Sequence, residues 1–170
     1  MRSKGGRLWP VNLKYRQLGS EACNVDVAAL PDAPKLAVIC TLPHTVPALI
    51  AALGARGTRT AVVLTAGLRP AQKQAMLDAA HAHLLRVCGP NCLGLISQRI
   101  GLNASFAHVD AASGQLAFFS QPGASVTALL EWARGRHVGF SHFVSQGESA
   151  DVDFGDMRDW LASDAKTHPI

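Results

Sequence analysis

Hydrophobic residues follow two alternating rhythms along this chain. Lys35-Leu-Ala-Val-Ile-Cys40 is an almost continuous apolar run, the pattern of a strand covered on both faces. Directly after it, Val46, Leu49, Ile50 and Leu53 recur at helical spacing, and Gly57 is placed to stop that helix. Thr60–Leu64 returns to the strand pattern. A helix then opens near Pro70, a residue suited to a first helical turn, with Met76, Leu77 and Ala80 on one face and a further apolar contact at Leu84. Leu85–Val87 predicts another strand, and Gly89-Pro90-Asn91 a loop. Nearer the start, Arg7–Val11 predicts a short strand running into the turn Asn12-Leu-Lys-Tyr15. Strand, helix, strand, helix, strand with short connections predicts an α/β, Rossmann-like, doubly wound parallel sheet. Its right-handed crossovers gather the loops after the strands along one carboxyl edge, where such sheets bind ligands.

A second cycle starts after the small-residue stretch Ala111-Ala-Ser-Gly114. Gln115–Ser120 predicts a strand, Gln121-Pro-Gly123 a tight turn, and Ser125–Arg134 a helix with Val126, Leu129, Leu130 and Ala133 inward. Phe140–Val144 predicts a further strand and Gln146-Gly-Glu-Ser149 a loop. Phe154–Leu161 predicts a helix with Phe154, Met157, Trp160 and Leu161 turned inward. Two strands and two helices are little for an independent sheet, so this second part, residues 111–170, is expected to be a partial domain beside a first domain spanning residues 1–110.

Composition narrows the class. Almost half the residues are hydrophobic and 16% are charged, as a packed core requires. No apolar run approaches the length of a membrane span, and the basic N-terminus lacks the apolar stretch of a signal peptide, so a soluble, cytoplasmic protein is expected. The formal net charge is +4, but the basic residues are scattered rather than clustered. Nucleic acid and membrane are therefore not expected partners, whereas a polyanionic small ligand suits the charge. Cys23, Cys40, Cys88 and Cys92 match neither a redox CxxC nor a zinc knuckle, and read as reduced, partly buried thiols. No metal site is expected, and His81 and His83 are spaced to face different sides of a helix.

The glycine fingerprint of dinucleotide sites and the P-loop are both absent, as are the common hydrolase and metalloprotease motifs. Candidate chemistry sits instead in three strand-end loops: Thr65-Ala-Gly-Leu68, Gly89-Pro-Asn-Cys-Leu-Gly94 and Ser120-Gln-Pro-Gly-Ala124. Each has small residues where backbone must come close to a ligand or turn sharply. The third leads into a helix N-terminus, which favours an anion. Singly, each reads as an ordinary turn before it reads as a ligand site; their joint placement on one sheet edge makes the ligand reading competitive.

Six segments in order carry a family resemblance. They are Pro10-Val-Asn-Leu-Lys-Tyr15, Leu36-Ala-Val-Ile-Cys-Thr41, Leu64-Thr-Ala-Gly-Leu68, Gly89-Pro-Asn-Cys-Leu-Gly94, Phe119-Ser-Gln-Pro-Gly-Ala124 and the run from Phe140 to Asp153. Together they resemble the ADP-forming acyl-CoA synthetases and the alpha chain of succinyl-CoA ligase, over nearly the whole chain. Gly101-Leu-Asn-Ala-Ser-Phe106 is similar to a branch fused to GNAT-type protein lysine acetyltransferases. The resemblance implies a Rossmann-like CoA-binding domain followed by a partial flavodoxin-like succinyl-CoA-ligase domain. It implies CoA or acyl-CoA as ligand, with ATP, ADP and Mg belonging only to the full-length parent, and ATP-grasp or acetyltransferase portions or a homo-oligomer as partners.

By position, the resemblance sets Lys14 against a CoA phosphate, though on the sequence alone Lys14 reads equally as a solvated surface lysine. It lines the CoA cleft with Leu64, Thr65 and Ala66. Asn91 either holds its loop, the favoured role, or touches ligand. Gly123 and Ala124 fall at the helix end facing the phosphoryl-transfer centre. Three departures accompany it: the chain opens at what looks like the family's second strand, the family's phosphorylated histidine falls beyond residue 170, and Pro122 replaces the serine of a Ser-Gln-Ser-Gly turn, removing a hydroxyl and an N–H donor. Gln146 stands where leucine is usual. The expected function is a non-catalytic CoA-binding fragment, apparently truncated at both ends; the alternatives are a nucleotide-binding module of an oxidoreductase, or an interaction-only remnant with an exposed sheet edge.

Overall fold

The computed structural model describes residues 2–3, 6–121 and 123–164. In chain order the strands and helices are β1 (Arg2–Ser3), β2 (Gln17–Leu18), β3 (Glu21–Ala22), β4 (Leu36–Ile39), α1 (Val46–Ala55), β5 (Thr60–Val63), α2 (Pro70–His81), β6 (Arg86–Cys88), β7 (Gly94–Ser97), β8 (Leu102–Ser105), β9 (Ser113–Ser120), α3 (Gly123–Gly135), β10 (Phe140–Ser145) and α4 (Phe154–Ala162). Strands β4, β5 and β6 form a parallel sheet in that order, while β1-β8-β7-β10-β9 form a mixed one. In the mixed sheet β9 and β10 run parallel, and the β7–β8 hairpin joins β10 antiparallel.

Alternation along the strands explains how these layers stack. Ala37, Ile39, Ala61, Val63 and Val87 face one way and pack against Val46, Ile50 and Leu53 of α1 and Met76 and Ala80 of α2. Their neighbours Val38, Val62 and Cys88 face the other way, into a cluster with Leu95, Phe119 and Val144 of the mixed sheet. The far side of that sheet carries Ile96, Phe118, Phe140 and Phe143 beneath Val126, Leu130 and Ala133 of α3. Phe118 stacks on Phe143 at 5.0 Å and Phe140 meets it edge-on at 5.2 Å. The second face of the parallel sheet is thus sealed by a second sheet, which brings the carboxyl ends of β5, β6, β9 and β10 to one place.

Most element boundaries agree with the hydrophobic rhythm, and the exceptions have local causes. Arg7–Val11 forms no strand: only Val11 makes a bridge, to Asn24, and Pro10 has no N–H to extend a ladder. Leu84 is 75% exposed with φ +54°, because the chain leaves α2 at His81 and Leu85 turns inward instead. In α4, Phe154 and Trp160 stay half exposed, and Met157 is the residue packed against the core. Pro122 lies outside the described residues.

One buried histidine gives the fold a pH dependence. His142 of β10 is 9% exposed, meets Trp160 edge-on at 4.7 Å, and places Nε2 3.7 Å from the Asp164 carboxylate, which also pairs with Arg99. Burial lowers its pKa below the usual 6.5; Arg99 adds to this, while Asp164 opposes it. The folded form therefore holds His142 neutral, and this contribution to stability is present above pH 6.5 and lost as pH falls through the lower folded value. A melting-temperature series should show that slope below pH 6.5, flattened in His142→Gln. An unaltered slope in the variant would rule the assignment out.

Candidate functional site

The cleft is assembled by hydrogen bonds between strand-end loops. After β5, Leu64 N–H donates to the Ile39 carbonyl at 2.8 Å. Thr65, 8% exposed, turns its hydroxyl away to donate to the Thr41 carbonyl at 2.9 Å, tying together the loops after β4 and β5. After β6, Asn91 adopts φ +58°, a conformation asparagine tolerates better than most residues, and its N–H donates to the Thr65 carbonyl at 3.0 Å. Gln146 N–H, after β10, donates to the carbonyl of Ser120 at the end of β9 (2.8 Å), while Glu148 and Ala150 N–H donate to Pro90 and Gly89 (2.9 and 3.0 Å). Gly147 lies so close beneath this clasp that a Cβ there would fall 2.2 Å from the Pro90 carbonyl oxygen. Leu93 N–H donates to the Ser145 hydroxyl at 3.1 Å, pinning the far side of the loop.

The loops enclose an open cleft of about 760 Å³. Leu64, Ala66, Asn91 and Gly123 all line it, joined by Phe106 and Glu148. Gly123 begins a 13-residue helix whose first N–H groups and dipole favour negative charge. The carboxylate of Glu148 opposes that preference but is paired with Lys73 of α2, which offsets it.

Two candidate residues sit elsewhere. Thr65 belongs to the loop but its hydroxyl serves the backbone, as above. Lys14 is exposed and is not among the residues lining the cleft; Asn12 shapes its turn by accepting from the N–H of Lys14 (2.8 Å) and of Tyr15 (3.0 Å). Ala124 is the second residue of α3. Phe106, Glu148 and Thr127 line the cleft without having been offered as ligand contacts from sequence, and Gln121 joins them from a loop that was. Only Gln121 had a local signal, its place in a strand-to-helix turn; the others arrive through tertiary packing. No three described His, Cys, Asp or Glu side chains converge, so none is offered here as a metal site. No described helix is long and apolar enough to cross a membrane.

Residues 1–98 match the family described as CoA binding domain. The chain belongs to this family. Residues 113–170 of the chain match the succinyl-CoA ligase like flavodoxin domain. It is 35% identical to acetate–CoA ligase (ADP-forming) I of Archaeoglobus fulgidus, over 100% of its own length and 26% of that protein. It is 31% identical to the acetate–CoA ligase (ADP-forming) II subunit alpha of Pyrococcus furiosus, over 94% of its length and 36% of that subunit. The solved dinucleotide-forming acetyl-coenzyme A synthetase 1 of Ca. Korarchaeum cryptofilum superposes with a TM-score of 0.91 at 33% identity, covering 96% of this chain and 36% of that one. The ATP citrate lyase of Methanothrix soehngenii shares the fold alone, with 15% identity and a TM-score of 0.56. The chain thus resembles the N-terminal, alpha part of ADP-forming acyl-CoA synthetases, and spans about a quarter to a third of the length of these relatives.

Proposed function

We propose that this chain binds CoA or an acyl-CoA, as the CoA-binding portion of an ADP-forming acyl-CoA synthetase-like protein, and that it is not catalytic by itself. The observation that carries the reading is the convergence of four strand-end loops on the N-terminus of α3, inside a cleft large enough for part of such a ligand. Leu64 and Ala66 supply an apolar wall for an acyl or pantetheine chain, and Asn91 supplies an amide beside it. The first turn of α3, with Gly123 and Ala124, suits a phosphate or a developing carboxylate charge. Lys14, outside the cleft lining, suits the more distant phosphates of a ligand that long. ATP, ADP and Mg are assigned to other parts of a longer protein, whose reaction would interconvert an acyl-CoA and an acid through an acyl phosphate. We place a domain division near residue 110. The two family matches, which end at residue 98 and begin at residue 113, support it, and the β7–β8 hairpin hydrogen-bonds across it to β10.

CoA affinity of the chain beside its Lys14→Ala variant tests the assignment of phosphate to Lys14. Loss of one exposed charge contact should weaken binding by about three- to tenfold, more at low salt than at high. Equal affinities in the two proteins, at matched thermal stability, would remove Lys14 from the site.

A further inference from the structure

Cys88 and Cys92 bracket the loop that carries Asn91, four residues apart in the chain. Cys88 closes β6 and is 4% exposed; Cys92 is 2% exposed and shares its buried cluster with Cys88, Val62 and Val144. Each sulfur also has a backbone acceptor. Cys92 donates to the Val63 carbonyl at 3.3 Å and approaches that of Cys88 at 3.9 Å, while Cys88 approaches the Ser145 carbonyl at 3.8 Å. Their surroundings differ in one respect: Cys92 also lines the cleft, and Cys88 does not. One thiol thus borders open space while its partner waits behind it.

We propose that Cys88 and Cys92 are a dithiol modification site, converted to an intramolecular disulfide by a hydroperoxide that enters through the cleft and attacks at Cys92. The neighbouring Cys88 draws the Cys92 thiol below its ordinary value, against the effect of burial, and Cys92, with burial, pushes the Cys88 thiol up. Cys92, the thiol that lines the cleft, is the one a hydroperoxide meets first, with Cys88 behind it. In the first step the Cys92 thiolate attacks the terminal peroxide oxygen. An S–O bond forms, the O–O bond breaks, and the alkoxide or hydroxide leaves with a proton; the sulfur has lost two electrons to become a sulfenic acid. In the second, the Cys88 sulfur attacks that sulfenic sulfur. The S–S bond forms, the S–O bond breaks, and hydroxide departs with the Cys88 proton as water. Two electrons from an external dithiol restore both thiols. The ring so closed contains Gly89, Pro90 and Asn91, so oxidation ties down a wall of the cleft. This site is independent of what the cleft binds.

Cys88 and Cys92 fall on one tryptic peptide, residues 87–99, which makes the test direct. The reduced full chain is treated with hydrogen peroxide at neutral pH, unfolded, alkylated and mapped by mass spectrometry. The expected result is a 87–99 peptide lighter by two hydrogen atoms and closed to alkylation, with both alkylation sites restored by dithiothreitol. Cys88→Ser should leave Cys92 as a sulfenic acid captured by dimedone, and Cys92→Ser should leave Cys88 a free thiol. Oxidation confined to Cys23 or Cys40, with residues 87–99 still carrying two alkylatable thiols, would overturn the proposal. So would a Cys88→Ser chain whose Cys92 takes no dimedone.

Discussion

Replacing Gly147 by alanine is expected to destabilise the chain by about 3 kcal/mol and to abolish ligand binding in the cleft. Two costs act together. The residue sits at φ +62°, where an L side chain is strained. Its added Cβ would also lie 2.2 Å from the Pro90 carbonyl oxygen and 2.5 Å from that of Asn91, both backbone atoms that cannot rotate aside. Relief requires the loop after β10 to separate from the loop after β6, breaking the Glu148-to-Pro90 and Ala150-to-Gly89 hydrogen bonds that hold the cleft wall. Denaturant midpoints and CoA titration of the variant measure the two effects. A variant as stable as the unmodified chain would show that the clasp is looser than these distances.

The opposite sign is expected at the neighbouring position. Gln146 is fully buried, and neither its amide nitrogen nor its amide oxygen has a hydrogen-bond partner among the described residues. A buried polar group without a partner costs about 1–3 kcal/mol, so Gln146→Leu, close in volume and without polar atoms, should raise stability by about that much. Its backbone N–H bond to Ser120 is untouched by the change. Urea denaturation reads the result as a higher midpoint at unchanged slope. A lower midpoint would mean that the amide is satisfied in the native chain and that its burial is stabilising.

How much of this was legible in the sequence follows from how local each signal is. Helix α1 and its following Gly57, and the pairing of strand β4 with that helix, were written in four spaced apolar residues and one uninterrupted run. Helix α3 showed its buried stripe of Val126, Leu130 and Ala133 in the same way. The β7–β8 hairpin was not legible, because its four-residue strands, Gly94-Leu-Ile-Ser97 and Leu102-Asn-Ala-Ser105, carry too little alternation to stand out. Its antiparallel pairing with β10, some fifty residues away, has no local signature at all. Trp160 misled for a related reason: spacing placed it on an apolar face, but its ring covers His142 from a half-exposed position.

The cleft divides along the same line. Leu64, Ala66, Asn91 and Gly123 follow or end strands of one carboxyl edge, so topology alone brings them together. That Thr65 directs its hydroxyl to Thr41, and that Phe106 and Glu148 complete the wall, depends on side-chain orientation and loop packing that no spacing encodes. Lys14 lies on a turn before the first long strand, and its relation to the ligand rests on charge and on the family's pattern rather than on the cleft's geometry.

Calorimetric titration of the purified chain with CoA, with NAD as the control and circular dichroism to confirm folding, tests the central claim most directly. Saturable heat with CoA and none with NAD is the predicted result. A folded chain that takes up NAD in preference, or that gives no heat with CoA, would contradict a CoA site in this cleft.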